Sequence, residues 1–356
     1  MDKKILLFVS YLTIFVSSCT KEKPEIRAAC ELTSSGTYLI KWEAFPPIEG
    51  TVKIYESFRS DFFDLNSSIS EQNINVGYKS VLAKPTYNRS YFKLVFNKKY
   101  SIITAERVIA TSKIFNFRDL GGYYNRENKQ TQWGRLYRSS SLAMAGERDI
   151  AILNQLGIKT MIDFRTEKEN ISYPVKYHAE QVFSFPLRGN NYNIFFDKIL
   201  SGKMRRGDVV VYQQDVLSFI LENNTDYFIK MFDILLDENN YPVVFYCSLG
   251  KDRSAIAAAL IFAALGIDRE TIINDYLLSN NLIDPYSLVK NADKFNYQVQ
   301  ETIIALFSAN KEVFNYAFKR IEKDYGSIPD YLEKELKLTK KKREKLKEIL
   351  LYQQIN

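Results

Sequence analysis

Pro242-Val243-Val244-Phe245-Tyr246 runs directly into Cys247-Ser248-Leu249-Gly250-Lys251-Asp252-Arg253-Ser254, and an apolar, Ala-rich stretch then reaches Leu265 before Gly266. The continuous apolar run predicts a central strand covered on both faces, as in a parallel sheet. Ser254 to Leu265 predicts a buried helix, with Gly266 as its stop signal. The segment between them therefore sits at the carboxyl end of a strand and the amino end of a helix. Backbone N–H groups there lack intrahelical partners, and they can gather into a nest for an anion.

The residue types sharpen that expectation. Arg253 follows Cys247 after five intervening residues. Its guanidinium is planar, permanently charged and suited to two oxygens of one phosphate. Gly250 permits the tight backbone path of such a loop. The helix start, Arg253 and Lys251 together favour the thiolate of Cys247, which is the attacking form. Ser254 is placed to hydrogen-bond that sulfur when it leaves. The pattern predicts nucleophilic attack by Cys247 on phosphorus. Ser248, Leu249, Gly250, Lys251, Arg253 and Ser254 are the expected phosphate-binding residues. A buried cysteine beside an unrelated arginine is the competing reading, and the strand–loop–helix context opposes it. The nucleotide-binding pattern Gly-x-x-x-x-Gly-Lys-Ser/Thr is absent here.

Outward from this loop the grammar stays α/β. Glu147–Leu156 has helical spacing and stops at Gly157, Thr160–Phe164 reads as a short buried strand, and Gln181–Pro186 reads as another. Tyr227–Leu236 is an amphipathic helix, and the chain beyond about 268 is helical. Residues 188–212 are polar and Gly-containing, so they read as an irregular lid. Upstream, from 27 to 108, the pattern is β: Tyr38–Trp42, Thr51–Tyr55, and a hairpin of Tyr91–Phe96 and Tyr100–Ile103 around Asn97-Lys98-Lys99. The fold class expected is α/β, a mostly parallel central sheet flanked by helices over 110–356. A small all-β, immunoglobulin- or fibronectin III-like unit over 27–108 precedes it as a spacer or docking module.

The amino terminus carries an address. Lys3-Lys4 precede the apolar run Ile5–Val16, which is shorter than the about 20 residues a membrane span needs. Residues 1–18 read as a secretory signal and 19–26 as a tether. Ser17-Ser18-Cys19 resembles a bacterial lipobox, with Val16 where Leu is commoner. Acylated Cys19 would hold the protein on a membrane of the cell envelope, facing the periplasm or the exterior. Cys30 and Cys247 are the other two cysteines of three, too few for a disulfide scaffold or a zinc site. A Cys30–Cys247 bridge would silence the site. The net charge of +7 comes with no nucleic-acid motif, and Lys340-Lys341-Lys342-Arg343 reads as a solvated helix face.

The loop resembles the signature of cysteine-dependent tyrosine phosphatases, above all the bacterial tyrosine/lipid phosphatases whose loop reads His-Cys-x-x-Gly-Lys-Asp-Arg-Thr/Ser. The resemblance spans roughly 112–352. It includes Asn116-Phe117-Arg118-Asp119-Leu120-Gly121-Gly122, Gly134-Arg135-Leu136-Tyr137-Arg138-Ser139, Leu156-Gly157-Ile158, Ile162-Asp163-Phe164-Arg165, Tyr325-Gly326-Ser327 and Tyr331-Leu332. It implies Cys247 as nucleophile, Arg253 as phosphate binder and Asp252 as general acid. Asp163 is the rival acid or an anchor for the loop, and Arg165 either orients substrate or pairs internally. It further implies phosphorylated proteins, above all on tyrosine, or phosphoinositides as substrates, with no cofactor and no metal. Two departures stand out: Tyr246 replaces the usual His, which alters one source of thiolate stabilisation, and Ala255 replaces the usual Gly. A catalytically inactive surface binding protein is the alternative that Tyr246 favours. The one histidine, His178, reads as a surface residue.

Overall fold

The computed structural model describes residues 23–84, 88–189 and 192–353. The signal-peptide reading of residues 1–18 and lipidation at Cys19 lie outside the described residues. Seven strands come first: β1 (Glu25–Leu32), β2 (Thr37–Phe45), β3 (Thr51–Ser57), β4 (Ser70–Asn73), β5 (Tyr78–Leu82), β6 (Tyr91–Phe96) and β7 (Tyr100–Ala105). They form two antiparallel sheets, ordered β1-β2-β5 and β4-β3-β6-β7. Alternation decides which face goes inward. Tyr38, Ile40 and Trp42 of β2 meet Val52 and Ile54 of β3 and Phe92, Leu94 and Phe96 of β6 in one core. The buried indole of Trp42 donates to the Ile74 carbonyl at 2.9 Å, so its polar edge is satisfied.

The second half is built on β8 (Arg118–Asp119), β9 (Leu136–Ser139), β10 (Thr160–Asp163), β11 (Gln181–Ser184) and β12 (Val243–Tyr246). The order is β11-β10-β12-β9-β8, parallel except for the β8–β9 pair. Strand β12 lies in the middle, with Val243 in register with both Leu136 and Thr160. Its residues part by period two. Val243 and Phe245 join the large core beneath helix Arg253–Leu265, whereas Val244 and Tyr246 join a second core with Leu153, Met161 and Tyr177. Burial on both faces explains the unbroken apolar run. Helix Arg253–Leu265 ends at Gly266, at φ 81°, as its sequence predicted.

Residues 188–212 are a correction. The segment is not an irregular loop: it enters helices Tyr192–Leu200 and Arg206–Asn223. The longer helix is packed on two sides. Val216, Leu217, Ile220 and Leu221 face the main core, while Val209 joins a separate cluster with Ile199, Val299 and Ile303. Val211 and Phe219 on its exposed face, with Gln213 and Ser218 buried, blur the apolar stripe by which such a helix is recognised.

The N-terminal sheets lean on the amino ends of β9 and β12, the edge opposite Cys247. Arg89 reaches across to Asp119 at 2.5 Å and also donates to the Glu106 carbonyl at 2.6 Å. The Trp133 indole donates to the Ile103 carbonyl at 3.0 Å, and Tyr91 and Tyr137 pair their hydroxyls at 3.3 Å. A cavity of about 520 Å³ lies in this rear junction, beside Arg89, Arg135 and Tyr241. No helix among the described residues is long and apolar enough to cross a membrane.

Candidate active site

Cys247 is the first residue after β12, and helix Arg253–Leu265 begins six residues later. Between them the chain turns so tightly that a Cβ on Gly250 would lie 2.5 Å from the Ser139 carbonyl group at the end of β9. Gly250 also has φ 67°, which an L side chain resists. Glycine is required at this position on both counts.

Donors outside the loop claim its carbonyls one after another. The Ser141 amide donates to the Ser248 oxygen at 3.2 Å. Asn116 Nδ2 donates to the carbonyls of Leu249 (3.2 Å) and Gly250 (2.8 Å). Arg138 Nη2 donates to those of Gly250 (2.7 Å) and Lys251 (3.3 Å). A trans peptide points its N–H opposite its C=O. With these carbonyls drawn outward, the amides of Leu249, Gly250, Lys251 and Asp252 are left to the inner side of the turn, an arrangement suited to an anion.

A buried ionic network holds those donors. Asp275 pairs with Arg118 Nε at 3.0 Å and with Arg138 Nη1 at 2.6 Å, and the Tyr123 hydroxyl donates to it at 2.8 Å. Arg118 also donates to the Asn116 side-chain oxygen, which fixes the amide orientation that Asn116 offers the loop. Burial by itself would raise the Asp275 carboxyl, but Arg118 and Arg138 hold it well below the ordinary carboxylate range. Burial and the neighbouring Arg118 bring the Arg138 guanidinium down to about 10. Arg118 and Arg138 come from the two glycine-flanked blocks singled out in the sequence. Asp275 was not foreseen.

Arg253 is buried, and Glu169 grips it from outside. Nη1 donates to Glu169 Oε2 at 2.7 Å and to the Phe164 carbonyl at 3.0 Å. Nη2 donates to Glu169 Oε1 and to Ser248 Oγ, both at 2.9 Å. Glu169 is itself the N3 residue of a capping box, accepting from the Thr166 amide at 2.7 Å and hydroxyl at 2.9 Å. Burial pushes its carboxyl up, but the hydrogen bonds and charge of Arg253 outweigh this and hold it at about 2. Glu169 was also missed. Its visible signal was Thr166-Glu167-Lys168-Glu169, which announces a helix start and says nothing of Arg253.

Cys247 Sγ lies 3.6 Å from Ser254 Oγ, and both are buried. Cys247 and Cys30 are free thiols, so they form no bridge. Asp252 stands at the N-cap of the helix, with Lys251 Nζ 3.5 Å from its Oδ1. The side chain of Lys251 departs from its expected place at the phosphate. The ammonium is fully buried and donates to the carbonyls of Leu306 (2.8 Å) and Ser308 (3.3 Å). Two helix-end carbonyls satisfy a buried cation.

Asp163 and Arg165 form an internal pair. Arg165 Nε reaches both Asp163 oxygens at 3.0 Å, and Nη2 reaches Oδ2 at 2.7 Å. Arg165 continues to Ser141, Tyr173 and Asn170, which fixes the wall beside the loop. Tyr246 packs with the Arg165 guanidinium over its ring at 5.5 Å. Burial and the nearby Asp163 keep its phenol protonated. His178 is exposed. Among the described residues no cluster of His, Cys, Asp and Glu is arranged to hold a metal ion.

A profile described as "tyrosine phosphatase family" matches residues 109–352, a stretch that contains every group of this site. The chain belongs to that family. It is accordingly a hydrolase of phosphate monoesters. It is similar to a Cupriavidus necator protein named as a tyrosine-protein phosphatase, with 27% identity over 238 residues, 63% of this chain and 82% of the relative. The triple specificity protein phosphatase PtpB of Mycobacterium tuberculosis is 24% identical over 238 residues, 56% of this chain and 84% of that protein. Among solved structures, the core catalytic domain of the PP-IP phosphatase SIW14 from S. cerevisiae aligns over 62% of this chain and 96% of that one, at 16% identity. Its TM-score of 0.27 is too low to bear on the fold.

Proposed function

We propose that this phosphatase works through a phosphocysteine on Cys247, with Arg253 as phosphate clamp and Asp252 as proton donor. The supporting observation is the loop itself, with the sulfur, the inward-turned amides and the guanidinium of Arg253 gathered at one helix start. A phosphate dianion seats in the nest and takes the Nη2 edge of Arg253 by displacing Ser248 Oγ. The sulfur attacks phosphorus in line, the P–O bond to the leaving group breaks, and Asp252 donates its proton to the departing oxygen. Water then attacks the phosphocysteine and gives a proton back to the Asp252 carboxylate. The P–S bond breaks, and Ser254 Oγ hydrogen-bonds the departing thiolate. Charge spreads over the equatorial oxygens, where fixed amides and Arg253 stabilise it without rearranging.

Asp252 is preferred to Asp163 as the acid because both Asp163 oxygens are already taken up by hydrogen bonds from the Arg165 side chain and amide. Comparison of aryl phosphates with good and poor leaving groups tests the assignment. Asp252→Asn should lose far more rate with the poor leaving group. An equal loss on both, or the selective loss in Asp163→Asn instead, would reassign the acid.

Phosphotyrosine is the leading substrate, with phosphoserine, phosphothreonine and phosphoinositides as alternatives; a relative named for triple specificity supports that breadth. Parallel assays on the corresponding phosphopeptides and a soluble phosphoinositide separate them. We read the N-terminal sheets as an immunoglobulin- or fibronectin III-like brace behind the catalytic unit, and Cys19 as the lipidated residue of an envelope-anchored protein. A Cys19→Ser variant that still partitions into detergent would remove the anchor.

A further inference from the structure

We infer that Lys251 is a positioning residue: it fastens the catalytic loop to the turn that closes helix Tyr297–Phe307, and so couples the placement of Asp252 to the packing of a separate helical layer.

That layer has its own core. Ile199, Val209, Val289, Val299, Ile303 and Leu306 cluster apart from the residues beneath the central sheet. It meets the loop at the turn of residues 306–310, between helices Tyr297–Phe307 and Lys311–Tyr325. A helix leaves its last carbonyls without intrahelical donors, and a cation at that end is doubly favoured. Lys251 Nζ supplies both the donors and the charge, to Leu306 O at 2.8 Å and Ser308 O at 3.3 Å. From the other side, buried Gln213 of helix Arg206–Asn223 donates to the same Leu306 oxygen at 2.8 Å. Asn280 closes the turn by exchanging two bonds with Ala309, at 2.6 and 3.0 Å.

An ammonium with no exposed surface is costly to bury, and burial lowers the affinity of Lys251 for its proton. It stays in place because two carbonyls accept from it, at 2.8 and 3.3 Å, and the Asp252 side chain lies 3.5 Å away. The Asp252 backbone opens the helix, its carbonyl accepting from the Ile256 amide at 3.0 Å, and its side chain lies 3.5 Å from a cation whose position the layer sets. A shift of the 306–310 turn moves Lys251, and with it the carboxyl that meets the leaving oxygen. A side chain so engaged is not available as an extra ligand for a polyanionic substrate.

The kinetic half of the test rests on the function proposed above, and the exchange half does not. Lys251→Met in the full chain keeps the length and removes the charge. Amide hydrogen exchange at Leu306–Asn310 should then rise about tenfold or more. In parallel, kcat should fall about ten- to hundredfold on p-nitrophenyl phosphate, a phosphotyrosine peptide and a soluble phosphoinositide alike, with KM little changed. Unchanged exchange would overturn the inference, and a loss confined to KM for the phosphoinositide would overturn it by making Lys251 a substrate ligand. Should Lys251→Met not fold, Gln213→Met loosens the same turn without touching the loop and should show the same joint change. Faster exchange with unaltered kcat would refute the coupling. A wild-type protein inactive on all three substrates would refute the catalytic proposal, while the exchange comparison would still decide the fastening.

Discussion

Glu169 holds the guanidinium of Arg253 through both carboxylate oxygens, at 2.7 Å from Nη1 and 2.9 Å from Nη2. The same carboxylate caps the start of helix Glu167–Ser172, so helix and phosphate clamp share one anchor. Charge-assisted bonds of this kind are worth about 1.5–3 kcal/mol each where they are well shielded. Glu169→Ala should therefore lower kcat/KM on an aryl phosphate about ten- to hundredfold and weaken competition by inorganic phosphate in parallel. Full activity in this variant would show that Arg253 keeps its orientation without Glu169.

The same pair carries a pH signature. The Glu169 carboxyl sits at about 2, below its ordinary value of 4.5. A group depressed on folding stabilises the fold above its unfolded value, and that contribution fades as pH falls towards the folded one. The stability difference between wild type and Glu169→Gln should be full above about pH 5 and shrink steadily towards pH 2. Urea titrations across that range measure it, and a difference that grows on acidification would contradict the assigned sign.

Asp275 is the hub that keeps Arg118 and Arg138 aimed at the loop. Removal of one partner from a buried ionic group strands the others, at a cost of about 3–5 kcal/mol. Asp275→Asn should lose stability on that scale in urea unfolding, and kcat should fall with it because the loop carbonyls lose their donors. A near-neutral change would mean that the arginines are held by their carbonyl contacts alone.

Gly250→Ala tests the backbone path directly. The added methyl would meet the Ser139 carbonyl at 2.5 Å in a backbone region that alanine resists. Catalysis should fall by at least about a hundredfold while the overall fold survives by circular dichroism. Retained turnover would show that the loop can take another path and still hold phosphate.

At the rear junction, Arg89 of the N-terminal segment donates to Asp119 Oδ2, which also accepts from the Gly134 amide, while Oδ1 accepts from the Gly121 amide. Arg89→Met should destabilise the whole chain by about 3 kcal/mol or more, in one cooperative transition. Two separate transitions would instead mark the sheets as a detachable module.

Much of the sheet was legible because its logic is local. The apolar run at 243–246, the stop at Gly266, the period-two run in β3 and the aromatic, β-branched composition of β2 each point to their elements within a few residues. Cys247, Gly250, Arg253 and Ser254 stood out for the same reason, since one turn contains them all. The supports of that turn did not, because they meet only in space. Arg118 and Asp275 are 157 positions apart, and Arg253 and Glu169 are 84 apart. A capping box and a helix-borne aspartate look ordinary in sequence until the fold sets an arginine beside each. Lys251 was misjudged by proximity: adjacent to the nest in the chain, its side chain finds better partners in carbonyls more than 50 positions away. Helix Arg206–Asn223 escaped because its solvent face carries Val211 and Phe219 beside Asp208 and Asp215, while Gln213 and Ser218 are buried.

The central claim is that the phosphoryl group passes through sulfur. Rapid acid quench of the full-length protein during turnover of an aryl phosphate, followed by peptide mass spectrometry, tests it most directly. A phosphoryl adduct on the peptide bearing Cys247, absent in Cys247→Ser together with all turnover, is the expected result. An adduct on any other residue, or turnover that survives in Cys247→Ser, would contradict it.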